Sequence, residues 1–234
     1  MIALCSRHME GEAEDRNEAA PRALSARKLT LVAVAAAIVV LAALAGGLTY
    51  KGHKQKQDES AILGAVAEST LVLNEALGPQ GAADAAARLD AHLARIKAAQ
   101  HTPLSEAAED YVLGAREVAR RRAEATRLTA PAAAARQALL AHLAAGGRRN
   151  EGWFQHAGEL KKRVENAHFE LNSALKTLDS LLEGMPESRK RIAPLVGEKA
   201  LVRADTLAAA RAQEQEELKR SAEELERARQ IPIG

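Results

Sequence analysis

One pair of residues in this 234-residue chain has the spacing of a metal site. Glu165 and His168, in the stretch ENAH, are three positions apart, which puts a carboxylate and an imidazole on one helix face. A di-iron bundle needs this spacing twice, with two further inward-facing glutamates, and the chain has it once. A seam of apolar residues through Val164 and Ala167 leaves both residues on its flanks. The sequence therefore predicts no metal site and no cofactor.

Nucleophilic and phosphate-binding motifs are also missing from the sequence. It contains no Gly-x-Ser-x-Gly elbow, no glycine-rich phosphate loop and no Cys-x-x-Cys-His motif for haem. The only cysteine, Cys5, lies near the N-terminus, and it is absent if translation begins at Met9. The remaining candidates, His92, His101, His142 and His156, have no short metal-ligand spacing. We therefore expect no catalytic residues and a non-enzymatic protein.

One segment carries a local excess of positive charge. Eight arginines and two glutamates lie between Arg116 and Arg149, although the whole chain has a net charge of only +2. One interpretation is pairing with the acidic final helix and with flanking glutamates, and the other is contact with anionic lipid headgroups or envelope polymers. The candidates for the second are Arg116, Arg120, Arg121, Arg122, Arg148 and Arg149. Nucleic acid is not expected as a partner, because aromatic residues make up only 2% of the chain.

An uncharged stretch, residues 29–50, decides where the rest of the protein is located. These 22 residues reach about 33 Å as a helix, and a bilayer hydrocarbon core is about 30 Å thick. Ten of them are Leu, Ile or Val. The stretch predicts a transmembrane signal-anchor helix, in which the membrane-anchoring residues include Leu31, Val34, Ile38, Leu41 and Leu44.

The fate and orientation of this helix leave alternatives open. Ala43-Leu44-Ala45 reads like a signal-peptidase site, so a cleaved signal and a soluble periplasmic protein form one alternative. The flanking charge favours, by one residue, a short disordered tail at 1–28 in the cytoplasm. The preferred location is therefore a bacterial inner membrane, with a single pass and a periplasmic C-terminal part.

The residues after the anchor are those that favour helices. Ala, Leu, Glu, Arg and Gln dominate, and helix-breaking stretches (GPQG, HTPLSE, AGGRRN and GMPES) divide the chain. These breaks predict helices at about 55–77, 82–99, 103–145 with a kink, 150–183, and 188–230 with a break. Apolar residues from Trp153 to Leu181 follow spacings of four and three throughout. The fold class is all-α: one N-terminal transmembrane helix, then an elongated antiparallel helical bundle at 51–210 with coiled-coil-like heptad packing.

The final segment, 211–234, is predicted to be a charged helix and tail. Only Leu218, Ala222 and Leu225 form an apolar edge on it. It is either an exposed bundle end or a docking helix for another chain. Trp153 lies on the seam and Phe154 is next to it, so Trp153, Phe154, Leu218 and Leu225 are the candidates for partner or self-association.

Together these features favour a scaffold or adaptor that is held in the membrane. It would act through helix–helix contacts with a partner protein or with itself, as a homo-oligomer. The alternative is a periplasmic bundle that binds a small ligand or an anionic lipid through the arginine-rich helix.

Overall fold

The structure is a computed structural model that describes residues 26–78, 83–145 and 150–232. It contains five α-helices: α1 (Ala26–Leu77), α2 (Ala85–Ala98), α3 (Pro103–Ala144), α4 (Glu151–Val196) and α5 (Ala204–Gln230). A short 3₁₀ helix, Glu198–Ala200, lies between α4 and α5. Within the described ranges no residue is in a strand, so the protein is all-helical, as the composition predicts.

The chain divides into two compact units, Met1–Gly52 and His53–Gly234. The predicted tail at 1–28 falls almost wholly outside the described residues. The predicted anchor and the first bundle helix share one continuous helix, α1, because the polar residues between them are also helix formers.

Among the residues whose side chains are described, one helical segment, Gly52–Leu77, is long and apolar enough to cross a membrane. Half of that segment is buried inside the protein. Its large apolar residues, including Ile62, Val66 and Leu73, lie in the core of the second unit. Length and composition alone therefore do not separate a membrane span from a helix segment that packs in the core of the bundle. Most side chains of 29–50 are outside the described set.

The helices of the second unit pack as antiparallel neighbours. Contacts between α1 and α2 pair Glu68 with Arg95 and Glu75 with Arg88. Likewise, α2 contacts α3, α3 contacts α4, and α4 contacts α5. This order follows from the short connections between long helices.

Buried apolar residues form one large cluster and two small ones. The large cluster joins residues of α1, α2 and the first half of α3 to the second half of α4 and the start of α5. The small clusters join only α3, α4 and α5, and four of their nine buried residues are alanine. The bundle is thus thicker at one end than at the other.

Helix ends follow local capping chemistry. The hydroxyl of Thr102 accepts a hydrogen bond from the backbone N–H of Ser105 at 3.1 Å, with Pro103 in the first turn of α3. The side chain of Asn150 caps α4 by accepting from the N–H of Trp153 at 2.9 Å. The sequence predicted the helix starts at both positions.

The turn predicted at GMPES is wrong. Helix α4 continues through Pro186 and Pro194 and ends at Val196. Both prolines lie on the exposed face, while Met185 and Ile192 are buried in the core, so burial outweighs the lost backbone hydrogen bonds. The break occurs instead at Gly197, whose φ of +84° suits glycine.

The final helix also differs from the prediction. It begins at Ala204 rather than near residue 211, and Ala222, expected on its apolar edge, is exposed. The buried face of α5 consists of Leu207, Ala210, Glu214, Ser221, Leu225 and Ala228. Two polar residues therefore lie in the interface with the bundle, and hydropathy periodicity cannot identify such positions.

Candidate functional site

A cleft lies between α3 and α5, with α4 as its floor. Its volume is about 550 Å³, within the range of small-molecule sites in proteins. The α3 wall consists mainly of alanine and threonine, and Leu171 and Leu175 of α4 form an apolar floor. Helices α3 and α5 both pack on α4, and the short side chains of α3 leave the space between them open.

A buried ion pair lies at one end of this cleft. Arg122 of α3 pairs with Glu214 of α5, and the Glu214 side chain is almost completely buried. A second pair, Arg136 with Glu224 at 3.0 Å, also joins α3 to α5. These two pairs link the walls of the cleft to each other.

Between the two ion pairs, a buried histidine joins α4 to α5. The side chain of His168 is 2% exposed, and its Nδ1 lies 2.9 Å from the hydroxyl oxygen of Ser221. Its Nε2 has no hydrogen-bond partner in the described part of the chain and lies 3.7 Å from a carboxylate oxygen of Glu224. Burial lowers the pKa of His168 below its ordinary value, although the charge of Glu224 opposes this.

Ser221, His168 and Glu224 together resemble a hydroxyl–imidazole–carboxylate arrangement. However, Ser221 lies in the middle of α5, where backbone N–H groups are used within the helix and cannot form an oxyanion hole. The arrangement is better suited to joining two helices than to acyl transfer.

The arginine-rich segment is largely paired with carboxylates. Arg116 binds Asp90 of α2 at 2.6 Å, and Arg120 binds Glu117 at 2.7 Å. Arg121 contacts both Glu117 and Glu124. Arg122 and Arg136, also on α3, pair with glutamates of α5, so most of the described arginines of this segment have carboxylate partners within the bundle. Arg148 and Arg149 lie outside the described residues.

The aromatic candidates lie at the α3–α4 end of the bundle. The ring of His142 stacks on Trp153 with centroids 4.9 Å apart, and Phe154 meets Trp153 edge-on at 5.1 Å. Both Trp153 and Phe154 are half-buried. Trp153 therefore packs against the end of α3 without being fully buried.

The two leucine candidates on α5 face the bundle. Leu225 is buried, and Leu218 is half-buried against the small cluster of α3 and α4. Neither offers a large free surface to another chain.

A residue that sequence reasoning missed is the most exposed aromatic of the bundle. The side chain of Phe169 on α4 is 68% exposed. It lies in a groove of about 270 Å³ between α3 and α4, beside Leu128, Arg127 and Glu170. It is one position after His168, and the sequence signal that could have found it is an aromatic residue that falls outside the apolar stripe of α4.

The predicted anchor is described only in part. Leu41 is 65% exposed, and the neighbouring Val39 and Val40 are exposed as well. The side chains of Leu31, Val34, Ile38 and Leu44 lie outside those described. The backbone of the whole predicted anchor is helical.

No group of three or more metal-ligating side chains occurs among the described residues. Comparisons of the chain with models of known families, with curated proteins and with solved structures give no match to any of them. The class of protein that the structure defines is an all-helical bundle, and its function must be argued from its own surfaces.

Proposed function

We propose that this protein is a single-span scaffold of a bacterial inner membrane, held by residues 29–50, with a periplasmic, elongated and coiled-coil-like bundle. The observation that carries the proposal is the uncharged helical stretch itself, with apolar side chains exposed at Val39, Val40 and Leu41. Exposed large apolar residues on a helix of this length are stable in lipid. The bundle acts by binding, without catalysis.

The partner that the bundle surface fits best is a second copy of the same chain. In the groove at Phe169, Arg127 and Glu170 have opposite charges, and neither forms an ion pair in the described part of the chain. In a two-fold dimer, Arg127 of each copy can pair with Glu170 of the other around the two phenylalanines. Anchoring in one membrane further raises the effective concentration of copies.

Contact of the arginine-rich helix with anionic lipids receives less support. Arg116, Arg120, Arg121 and Arg122 each have a carboxylate partner within the bundle. A membrane surface would have to compete with these pairs.

Membrane fractionation and N-terminal sequencing test the anchor. We expect the chain to resist carbonate extraction and to keep its residues before Ala45. A soluble chain that begins at Gly46 would refute the tether and support the cleaved-signal alternative.

Charge reversal tests the dimer. We expect sedimentation of the full chain in detergent to show a dimer, which Arg127→Glu dissociates and Arg127→Glu with Glu170→Arg restores. Phe169→Ala should also weaken it, whereas Leu195→Ala, a comparably apolar and exposed position on α4 outside the groove, should not. A wild-type monomer at every concentration would refute self-association and leave a different protein as the partner.

A further inference from the structure

We infer that the cleft between α3 and α5 binds a small amphipathic anion, a molecule with an apolar body and one acidic head group. This inference does not depend on the membrane tether or on dimer formation. It rests on the shape of the cleft, on the placement of its cations and on a buried polar atom in its floor.

The cleft is open because the side chains of α3 that face it are short. Where α3 faces α5, it presents Ala125, Thr126, Thr129, Ala132 and Ala133, all of them short. Leucines there would close the space, as larger apolar residues do in the main core. The floor at Leu171 and Leu175 is apolar but almost completely buried, so the surface that an apolar molecule would remove from water is mainly that of Ala130 and Ala133 on the α3 wall.

The cations of the cleft differ in how fully they are used. Arg122 is buried and committed to Glu214. Arg136 uses one Nη1–H for Glu224 and is partly exposed, so further N–H donors remain. Arg220, on the α5 rim, forms no ion pair or hydrogen bond within the part of the chain that the structure describes. An acidic head group near Arg220 and Arg136 would gain charge-assisted hydrogen bonds.

A second, independent observation is the unpartnered Nε2 of His168 in the cleft floor. Buried polar atoms without partners are rare in proteins, and they often mark a missing ligand or water. Leu171 and Ser221, which lie beside it in the lining, are nearly inaccessible to solvent. A ligand acceptor group that reaches past them would satisfy this nitrogen.

Two carboxylates line the cleft: Glu224 is paired with Arg136, whereas Glu217 has no cation partner in the described part of the chain and opposes a bound anion. Glu217 lies three residues before Arg220 on α5 and accepts a hydrogen bond from Gln213 rather than from a cation. Removing its charge should therefore tighten the binding of an anion, whereas removing the charge of Arg220 should weaken it. A purely apolar site would respond to neither change.

The test is calorimetric titration of the full chain in phosphatidylcholine nanodiscs with naphthalene-2-sulfonate, with empty nanodiscs as the blank. We expect Arg220→Gln to raise the dissociation constant about tenfold, the loss of one charge-assisted contact. Arg227→Gln, on α5 outside the cleft, should leave it unchanged. Glu217→Gln should lower it, and the uncharged naphthalene-2-methanol should bind more weakly than the sulfonate.

Substitutions at two adjacent alanines of α3 test whether the probe binds in the cleft. Ala133 lines the cleft and Ala134 does not, and both are exposed, so Ala133→Leu and Ala134→Leu add the same bulk at neighbouring positions without overpacking the core. Only Ala133→Leu should abolish binding. Equal effects of the two leucines, equal binding of the two probes, or no binding to the wild-type chain would each overturn the inference.

Discussion

The two ends of the helical bundle differ in the residues that hold their helices together. At the thick end, α1 and α2 join α3, α4 and the start of α5 around Leu73, Val118 and Leu178, all of them completely buried. At the thin end only α3, α4 and α5 remain, and alanines take the place of larger residues. There, ion pairs and a buried histidine hold α5 in place.

This difference separates stability from function. Burying a leucine or valine contributes about 1.5–3 kcal/mol, while an alanine contributes much less, so the thick end supplies most of the hydrophobic stabilisation. The thin end contains the open cleft and the uncommitted Arg220. Regions that leave space and charge unused are where binding occurs at small cost to the fold.

The largest expected effect comes from the buried ion pair of the thin end. Glu214→Gln leaves Arg122 as an unpaired buried cation, and we expect it to lower the free energy of unfolding by about 3–5 kcal/mol. Urea unfolding followed by the fluorescence of the single tryptophan, Trp153, measures this. Replacing both residues, as Arg122→Met with Glu214→Leu, should recover most of the loss. A double variant as unstable as the single one would show that the pair itself stabilises the bundle.

Matched leucine truncations compare the two ends directly. Leu178→Ala opens a cavity in the main core, and we expect a loss of about 2–5 kcal/mol. Leu171→Ala borders the existing cleft, so water or neighbouring side chains can occupy the vacated space and the loss should be smaller. The same urea titration measures both variants. Equal losses would contradict the division of stability between the two ends.

Sequence periodicity predicted the apolar seam at both ends of the bundle, but not the buried polar residues of the thin end. The helix starts at Pro103 and Glu151 follow from their caps, and the seam residues Leu160, Val164 and Leu178 are all buried as expected. His168 and Glu214 could not be found in this way, because their burial depends on Ser221 and Arg122, which are distant in sequence. Apolar periodicity treats such polar residues as surface positions.

The continuation of α4 beyond residue 184 escaped prediction for a related reason. Proline and glycine at GMPES carry strong local signals for a turn. Their effect is overcome by tertiary burial of Met185 and Ile192, which a reading of local signals does not include. The pairing of Arg120 and Arg121 with the flanking Glu117 and Glu124 was, by contrast, an alternative that the charge pattern itself suggested.

A smaller effect is expected at the hydroxyl of Tyr111, which joins three elements of the thick end. Its oxygen accepts the backbone N–H of Val202 at 3.2 Å and lies 3.1 Å from the hydroxyl of Thr70 in α1. Tyr111→Phe leaves that N–H buried without a partner, and we expect a loss of about 1–3 kcal/mol in the urea titration. In Tyr111→Phe, Thr70 still donates to the carbonyl of Ala200. The variant Thr70→Val removes that bond and so measures its separate contribution to stability. An unchanged midpoint for Tyr111→Phe would mean that water replaces the hydroxyl.

The smallest expected effect is a pH dependence that arises at the thin end. Burial lowers the pKa of His168, so between that value and the ordinary value of about 6.5 the unfolded chain binds more protons than the folded one. The contribution of the neutral imidazole to the free energy of unfolding should therefore be fully present above pH 6.5, and it should be lost as the pH falls through this window. Burial lowers the pKa of His92 as well, so its loss has the same sign and occurs where α1 meets α2. Urea titrations from pH 7.5 to pH 5 of His168→Gln and His92→Gln separate the two. If the slope of stability with pH stays unchanged in His168→Gln, the imidazole is not held neutral between Ser221 and Glu224, and the thin end does not respond to pH through it.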